Sequence, residues 1–381
     1  MQNSLQEAPP YESTALDHSV IFNGTSWADG KTVTASKPIA VLCSLEALDS
    51  YITKHPELRL LDNAGFAGFA GYIGYEGDCE FGVYENIQIT PSSATQPLSH
   101  SVTQIIPPDP QSYISAIKKC QQYIHEGDIY QANLAHRFII ESNHQHLTAK
   151  TQHHLDLYKR LYSMNSSPYT GYMNFSDYEI ISSSPELFLE IKPSGLVRSS
   201  PIKGTAKLNE FNELLNSDKE RAEHIMIVDL IRNDLGQVCE TGSVTVEKLL
   251  YTQKLSNLYH LVSDITGQLV LDQGSINFTK LFTAMCPGGS ISGTPKIRAL
   301  EIIKELESSP RGLYTGTMGY YRFKDGGKFS MLIRSLIYSK KDNILSFHSG
   351  AGITAGSDPE KELEETYLKA EKLLEVFQTT Q

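Results

Sequence analysis

The chain has 381 residues, room for one large domain or two, and its 40% apolar and 20% charged content excludes a peptide, a small module and global disorder. Thirty-three Lys and Arg against forty-four Asp and Glu leave a formal charge of -11, so no nucleic-acid partner is expected, and an anionic substrate needs a local cluster of cations. Cys43, Cys79, Cys120, Cys239 and Cys286 are odd in number and lack CxxC spacing, Met1 to His18 carry no signal-peptide pattern, and no apolar run approaches membrane-spanning length, so a reducing cytoplasm and no membrane contact are expected.

The glycine-dense stretch Gly65 to Glu76, GFAGFAGYIGYE, suits a twisted strand with close backbone approach, with a ligand role as the second reading. From Glu85 to Pro110 the chain is rich in Ser, Thr, Gln and Pro, and a boundary near residue 105 divides 1–105 from 106–381. A helix is expected from Pro110 to Glu126, a strand from Ile129 to Ile140, and β-type runs at 179–191, 243–251, 314–323 and 329–349. No regular βαβ rhythm joins them, which favours α+β with large, mostly antiparallel sheets covered by helices.

Pro201 to Thr205, PIKGT, puts Lys203 beside a glycine in a tight turn after a strand. Most lysines are solvated, and a nucleophilic Lys203 would need burial or a neighbouring cation to be neutral. A second helix starts at Ser217, forms a capping box with Glu220, and stops at Gly236; Glu223 in its first turns fits the helix dipole without any ligand role. Pro287 to Leu306 joins a glycine-rich loop to an amphipathic helix, with Thr294 expected at the cap and Pro295 at the first position. Gly288 and Gly293 have P-loop spacing, but Thr294-Pro295 replaces the required Lys and Ser or Thr, which rejects nucleotide binding and leaves an anion cradle or a simple turn.

The last helix starts after Ser357-Asp358, with an apolar stripe of Leu363, Tyr367, Ala370, Leu374 and Phe377. Glu362, Glu365 and Lys369 share a strip at its edge. The acids fit a magnesium site or a solvated acidic face, and the helix alone favours the solvated face.

Six motifs in order, GDIYQANLAHRF, SSSPELFLEI, PIKGT, RAEHIMIVDLIRNDLG, PGGSISGTPK and SGAGITAGSDPEKELEET, closely resemble the chorismate-utilising enzymes over residues 107 to 378. The resemblance implies an anthranilate synthase component I-like α+β fold, in which two large antiparallel sheets pack as a central sandwich with helices outside, and residues 1–105 form an abbreviated N-terminal region. It implies chorismate as substrate and Mg2+ as cofactor. Lys203 is like the aminodeoxychorismate synthases, whereas anthranilate synthases typically carry alanine there. Gln131 stands where water-using relatives place a lysine base, and so points to ammonia.

By the same resemblance Glu223 and Glu365 bind magnesium with Glu362 close by. Arg334 and Tyr314 hold the second substrate carboxylate. Lys369 and Gly350, Ala351 and Gly352 line the pocket, and His260 and Thr294 match further pocket positions. Glu186 matches the general acid and Lys203 the nucleophile. The implied reaction is amination at C4 of chorismate, towards 4-aminobenzoate and folate, with ammonia from a separate glutamine amidotransferase. Anthranilate synthesis and a non-catalytic chorismate-binding subunit are the competing readings. The LLES motif of tryptophan sensing is not found.

Overall fold

The structure is a computed structural model that describes residues 18–59, 67–91, 104–141, 147–165, 167–207, 217–255 and 258–377. Two ten-stranded sheets dominate it, and every strand pairing described is antiparallel.

The first sheet runs Gly293–Thr294, Gln131–Glu141, Ile344–Ile353, Ser335–Ser339, Tyr178–Ser184, Tyr169–Asn174, Ser19–Phe22, Lys31–Ala35 and Gln88–Pro91, with Gln104–Ile106 also pairing on Gln131–Glu141. The second runs Ile202–Lys207, Leu258–Gln268, Leu196–Ser200, Leu187–Ile191, Gly326–Met331, Thr317–Arg322, Gly68–Ile73, Cys79–Tyr84 and Ala40–Leu42, with Thr245–Leu255 also pairing on Leu258–Gln268. Strands from before residue 105 are thus built into both sheets.

The two sheets face each other over a shared apolar layer that includes Phe22, Trp27 and Met173 from one side and Tyr72, Met318 and Tyr320 from the other. Burying large apolar and aromatic side chains between two sheets supplies the main drive for this arrangement. The GFAGFAGYIGYE stretch yields the Gly68–Ile73 strand, buried at all six positions. A Cβ on Gly71 would lie 2.2 Å from the Glu80 carbonyl oxygen, which is the close backbone approach expected of it.

Seven helices among the described residues cover the outer faces: α1 (Leu45–Lys54), α2 (Pro110–His125), α3 (Leu147–Met164), α4 (Asp218–Gly236), α5 (Phe278–Met285), α6 (Lys296–Leu306) and α7 (Pro359–Glu375). Helices α1, α4 and α5 pack on the second sheet. The others cover the first, α3 and α7 in one cluster and α2 and α6 in another. The caps follow the sequence: Asp109 accepts from the Gln111 and Ser112 amides, Ser217 from Glu220, and Asp358 from Glu360 and Lys361. None of the helices is long and apolar enough to cross a membrane.

Four local expectations are corrected. The β-run expected at 179–191 is two strands, Tyr178–Ser184 in the first sheet and Leu187–Ile191 in the second, because the chain crosses between sheets at Pro185-Glu186. The run at 329–349 likewise crosses between Met331 and Ser335. Helix α6 begins at Lys296, with Pro295 as its cap residue and no side-chain cap, since Gly293 and Thr294 instead pair with Ala132 and Gln131. On α7 the buried positions are Glu362, Thr366, Ala370 and Leu373, so the inward face is turned by about one residue from the expected stripe. Two anchors account for this: the Ser349 hydroxyl donates to the Thr366 carbonyl at 2.7 Å, and the Thr366 hydroxyl is 2.8 Å from His136.

Candidate functional site

The two crossovers carry chemistry to the junction of the two sheets. Glu186 sits in the first, 5% exposed, and Arg334 in the second, with a left-handed backbone at φ 51°. A non-glycine residue in that region is uncommon and clusters at functional sites. Burial lowers the pKa of Arg334, and Arg334 acts in turn on His260. Burial first, then the Arg334 charge, takes the pKa of His260 down to about 4, so that ring is neutral at pH 7.

Lys203 lies on the edge strand Ile202–Lys207, opposite Leu261, where a register shift before Thr205 and the positive φ of Gly204 bulge the backbone. Its pKa is lowered, by burial first and by the Lys369 ammonium second, against the opposing pull of Glu223, Glu365 and Glu220. Either of these two influences favours the neutral amine that a nucleophilic lysine requires. The amine reaches across to the first sheet: a Cβ built on Gly352 would be 2.8 Å from Lys203 Nζ and 2.9 Å from Gln131 Nε2. Glycine at 352 is what allows both groups to approach the strand.

Alternation along the Gln131–Glu141 and Ile344–Ile353 strands sorts the expected pocket residues. Gln131, Asn133, Gly350 and Gly352 face the second sheet, whereas Ala351 packs with Ala132 and Leu134 among the helices α2 and α6. The Ala351 methyl thus belongs to the outer core, on the side of the strand away from the one that Gly350 and Gly352 present. Gln131 is 1% exposed, and its Oε1 has no hydrogen-bond partner. The Thr294 hydroxyl beside it is likewise buried without one. Unpaired buried acceptors of this kind are costly, and a polar ligand would satisfy them.

Glu186 stands among Phe188, Ile231, Met285 and Met331, around a void of about 10 Å3. Burial raises its pKa to about 7, against a 2.7 Å hydrogen bond from the Ser290 hydroxyl and the charge of Lys203. A carboxyl half-protonated near neutrality is suited to general acid work. A larger cavity of about 260 Å3 lies on the opposite face of the same strands, lined by Pro185, Ile202, Arg198 and Lys328 but by neither Glu186 nor Lys203. The raised acid Glu186, the lowered amine Lys203 and the unpaired Gln131 Oε1 lie on the Lys203 side, so the site is assigned there.

The α7 residues divide. Glu362 is 8% exposed and accepts from the Ser357 hydroxyl at 2.7 Å, while Glu365 pairs with Lys369 at 2.6 Å and Lys369 also donates to the Gly350 carbonyl at 3.0 Å. Glu223 on α4 and Glu365 on α7 act on the same Lys203 ammonium from different helices. Among the described residues, no group of three or more His, Cys, Asp and Glu side chains is gathered into a preformed metal cage. Carboxylate oxygens are nonetheless the donors a hard divalent cation takes.

Tyr314 is buried, with its ring stacked on His348 at 5.1 Å and the Arg311 guanidinium 5.7 Å from its centroid. Burial raises its phenol to about 12. Arg311, which the sequence did not single out, ties this corner together: it pairs with Glu307 at 2.7 Å and donates to the carbonyls of Ile291 and Asn133 at 2.9 and 2.6 Å. Ser290 and His224 were also missed. His224, fully buried on α4, hydrogen-bonds Ser263 at 2.8 Å, and burial followed by the Lys203 charge lowers its pKa to about 4. The available signal was their presence inside the quoted motifs, which did not say what each touches.

Residues 84–375 match the family described as chorismate binding enzyme. Among curated proteins, the chain is 37% identical over 276 residues to anthranilate synthase component 1 of Aquifex aeolicus, covering 70% of this chain and 53% of that one. It is 39% identical over 266 residues to aminodeoxychorismate synthase component 1 of Bacillus subtilis, covering 68% and 54%. The chain thus spans about half the length of the curated relatives it matches. A Bacillus anthracis crystal structure, named provisionally as a 2,3-dihydroxybenzoate-specific isochorismate synthase, superposes with a TM-score of 0.77 at 22% identity over 97% of this chain and 98% of that one, a likeness of fold. The chain belongs to the chorismate binding enzyme family.

Proposed function

We propose that this chain is an aminodeoxychorismate synthase, which replaces the C4 hydroxyl of chorismate with an amino group through a covalent Lys203 intermediate. The observation that carries this reading is the Lys203 amine itself, desolvated, next to a second cation, and set against Gly352 and Gln131 between the sheets. In the proposed sequence Glu186 protonates the departing C4 hydroxyl while the Lys203 amine adds at C2 with a double-bond shift. Ammonia then adds at C4, and Lys203 leaves as the double bond returns. Two easier substitutions replace one hard one.

Arg334 and Tyr314 are the proposed holders of the second substrate carboxylate, with His260, Thr294 and Lys369 around the ring. Glu223 and Glu365, with Glu362 close by, are the proposed holders of magnesium, which when bound supplies positive charge to a ring carboxylate. Ammonia is proposed to come from a separate glutamine amidotransferase. The division at residue 105 is kept as a functional one, since all six motifs follow it. The setting is proposed to be cytoplasmic, in the supply of 4-aminobenzoate for folate.

Anthranilate synthesis is the second reading, supported by a relative of that name at nearly the same identity. A chorismate-binding subunit without activity is the third, and the acid held near pH 7 weighs against it. The test is incubation with chorismate, magnesium and ammonium, with and without an aminodeoxychorismate lyase. Formation of 4-aminobenzoate only with the lyase supports the proposal. Anthranilate would replace it with the second reading, and no turnover would replace it with the third.

A further inference from the structure

The geometry points to Ser290 as the positioning residue of Glu186: its hydroxyl holds one carboxyl oxygen, so that the transferable proton is carried on the other. This rests on reading Glu186 as the general acid.

The Ser290 hydroxyl lies 2.7 Å from Glu186 Oε1. An oxygen that accepts this bond is not the one that bears the proton of the neutral acid, which leaves Oε2 as the donor atom. The loop that presents Ser290 is fixed on both sides. The Ser292 hydroxyl donates back to the Gly288 carbonyl at 2.9 Å, and Arg311 holds the Ile291 carbonyl at 2.9 Å. Gly289 itself sits against α4, where an added Cβ would meet Leu230 at 3.1 Å. A donor on so constrained a turn has a fixed direction.

Electrostatics give the bond a second consequence. The walls from α4, α5 and the Gly326–Met331 strand are Ile231, Met285 and Met331, with no charge among them. Among the described residues, the charged group acting on Glu186 is Lys203, from the Ile202–Lys207 strand. Burial alone would take the acid further up, and Ser290 and Lys203 both draw it back. Because the hydroxyl favours the ionised form, its removal raises the pKa of the acid and leaves a weaker proton donor.

The test compares Ser290→Ala and Ser290→Thr with the unchanged protein. Titration of the Glu186 carboxyl is followed by infrared difference spectroscopy, the band being assigned by its loss in Glu186→Gln. Ser290→Ala should raise the midpoint by about one pH unit. It should also lower kcat at pH 7 about tenfold, with KM for chorismate changed less than about twofold. Ser290→Thr keeps the hydroxyl and should restore both. An unmoved midpoint in Ser290→Ala overturns the inference, as does a kcat loss that threonine leaves unrepaired. The infrared titration needs no substrate, so it still decides about Ser290 if chorismate is not turned over and the functional reading falls.

Discussion

Lys203 and Gly352 belong to different sheets and are 149 positions apart, yet each explains the other. A methyl on residue 352 would occupy the space of the lysine amine, so Gly352→Ala should displace Lys203 and Gln131 without touching the core. We expect retained folding by circular dichroism and thermal melting, with a loss of lyase-coupled 4-aminobenzoate formation of about 100-fold. Near-normal turnover would mean that Lys203 does not work from this position. The sequence supplied Lys203 through PIKGT and Gly352 through SGAGI, because motif chemistry is local. It could not supply their contact, nor Ser290 and Arg311 as partners of the site, since each gains its role from a neighbour more than 100 positions away. Glu186 carries a further consequence at this scale. Its pKa rises on folding from an ordinary 4.5 to about 7, so the folded state holds a proton that the unfolded chain releases. The stability this contributes is full below about 4.5 and is lost as pH rises through 7. Glu186→Gln, which cannot ionise, should therefore be more stable than the parent at pH 8, by up to about 3 kcal/mol, with the gain vanishing near pH 4 in urea titrations.

Elements were read well where one segment decides its own structure, as the caps of α2, α4 and α7 illustrate. They were misread where a distant partner decides. The run through 179–191 has continuous strand character, and only the second sheet's demand for Leu187–Ile191 makes the chain cross at Glu186. The inward face of α7 is likewise set by Ser349 and His136 on the sheet below, not by its apolar periodicity alone. A similar long-range tie fixes the glycine-rich loop to α4: Lys296 at the start of α6 is 2.5 Å from Asp234, with side chains 17% and 3% exposed. Lys296→Met would strand a buried carboxylate, a loss of roughly 3–5 kcal/mol, and should lower the urea midpoint accordingly. Adding Asp234→Leu should recover most of that loss, since a well-packed apolar pair often matches a buried ion pair. If the double variant is no more stable than Lys296→Met, the cost arises from packing and not from the unpaired charge.

At the scale of the whole molecule, a chain of charge -11 can receive an anionic ligand only where cations are concentrated, and among the described residues Lys203, Arg334 and Lys369 are cations gathered at the candidate site. The nitrogen source is a separate matter, and it predicts two different pH profiles for one catalytic apparatus. With ammonium salts, the free ammonia available rises about tenfold per pH unit below the ammonium pKa, and loss of the Lys203 proton acts in the same direction. In the proposed mechanism Glu186 acts against both, since its transferable proton is lost as pH passes about 7. At constant free ammonia, loss of the Glu186 proton should therefore offset the gain from Lys203 deprotonation in kcat/KM for chorismate above pH 7, and Glu186→Gln should abolish that offset along with most activity. With glutamine in place of ammonium, the isolated chain should make no product until a glutamine amidotransferase is added. The rate with that partner should no longer climb with pH on its acid side as bulk ammonia does, because the nitrogen then arrives without equilibrating with solvent. Amination by the isolated chain from glutamine alone would remove the need for a partner, whereas a partnered profile that still tracked bulk ammonia would mean that the two proteins share a solution and not a passage.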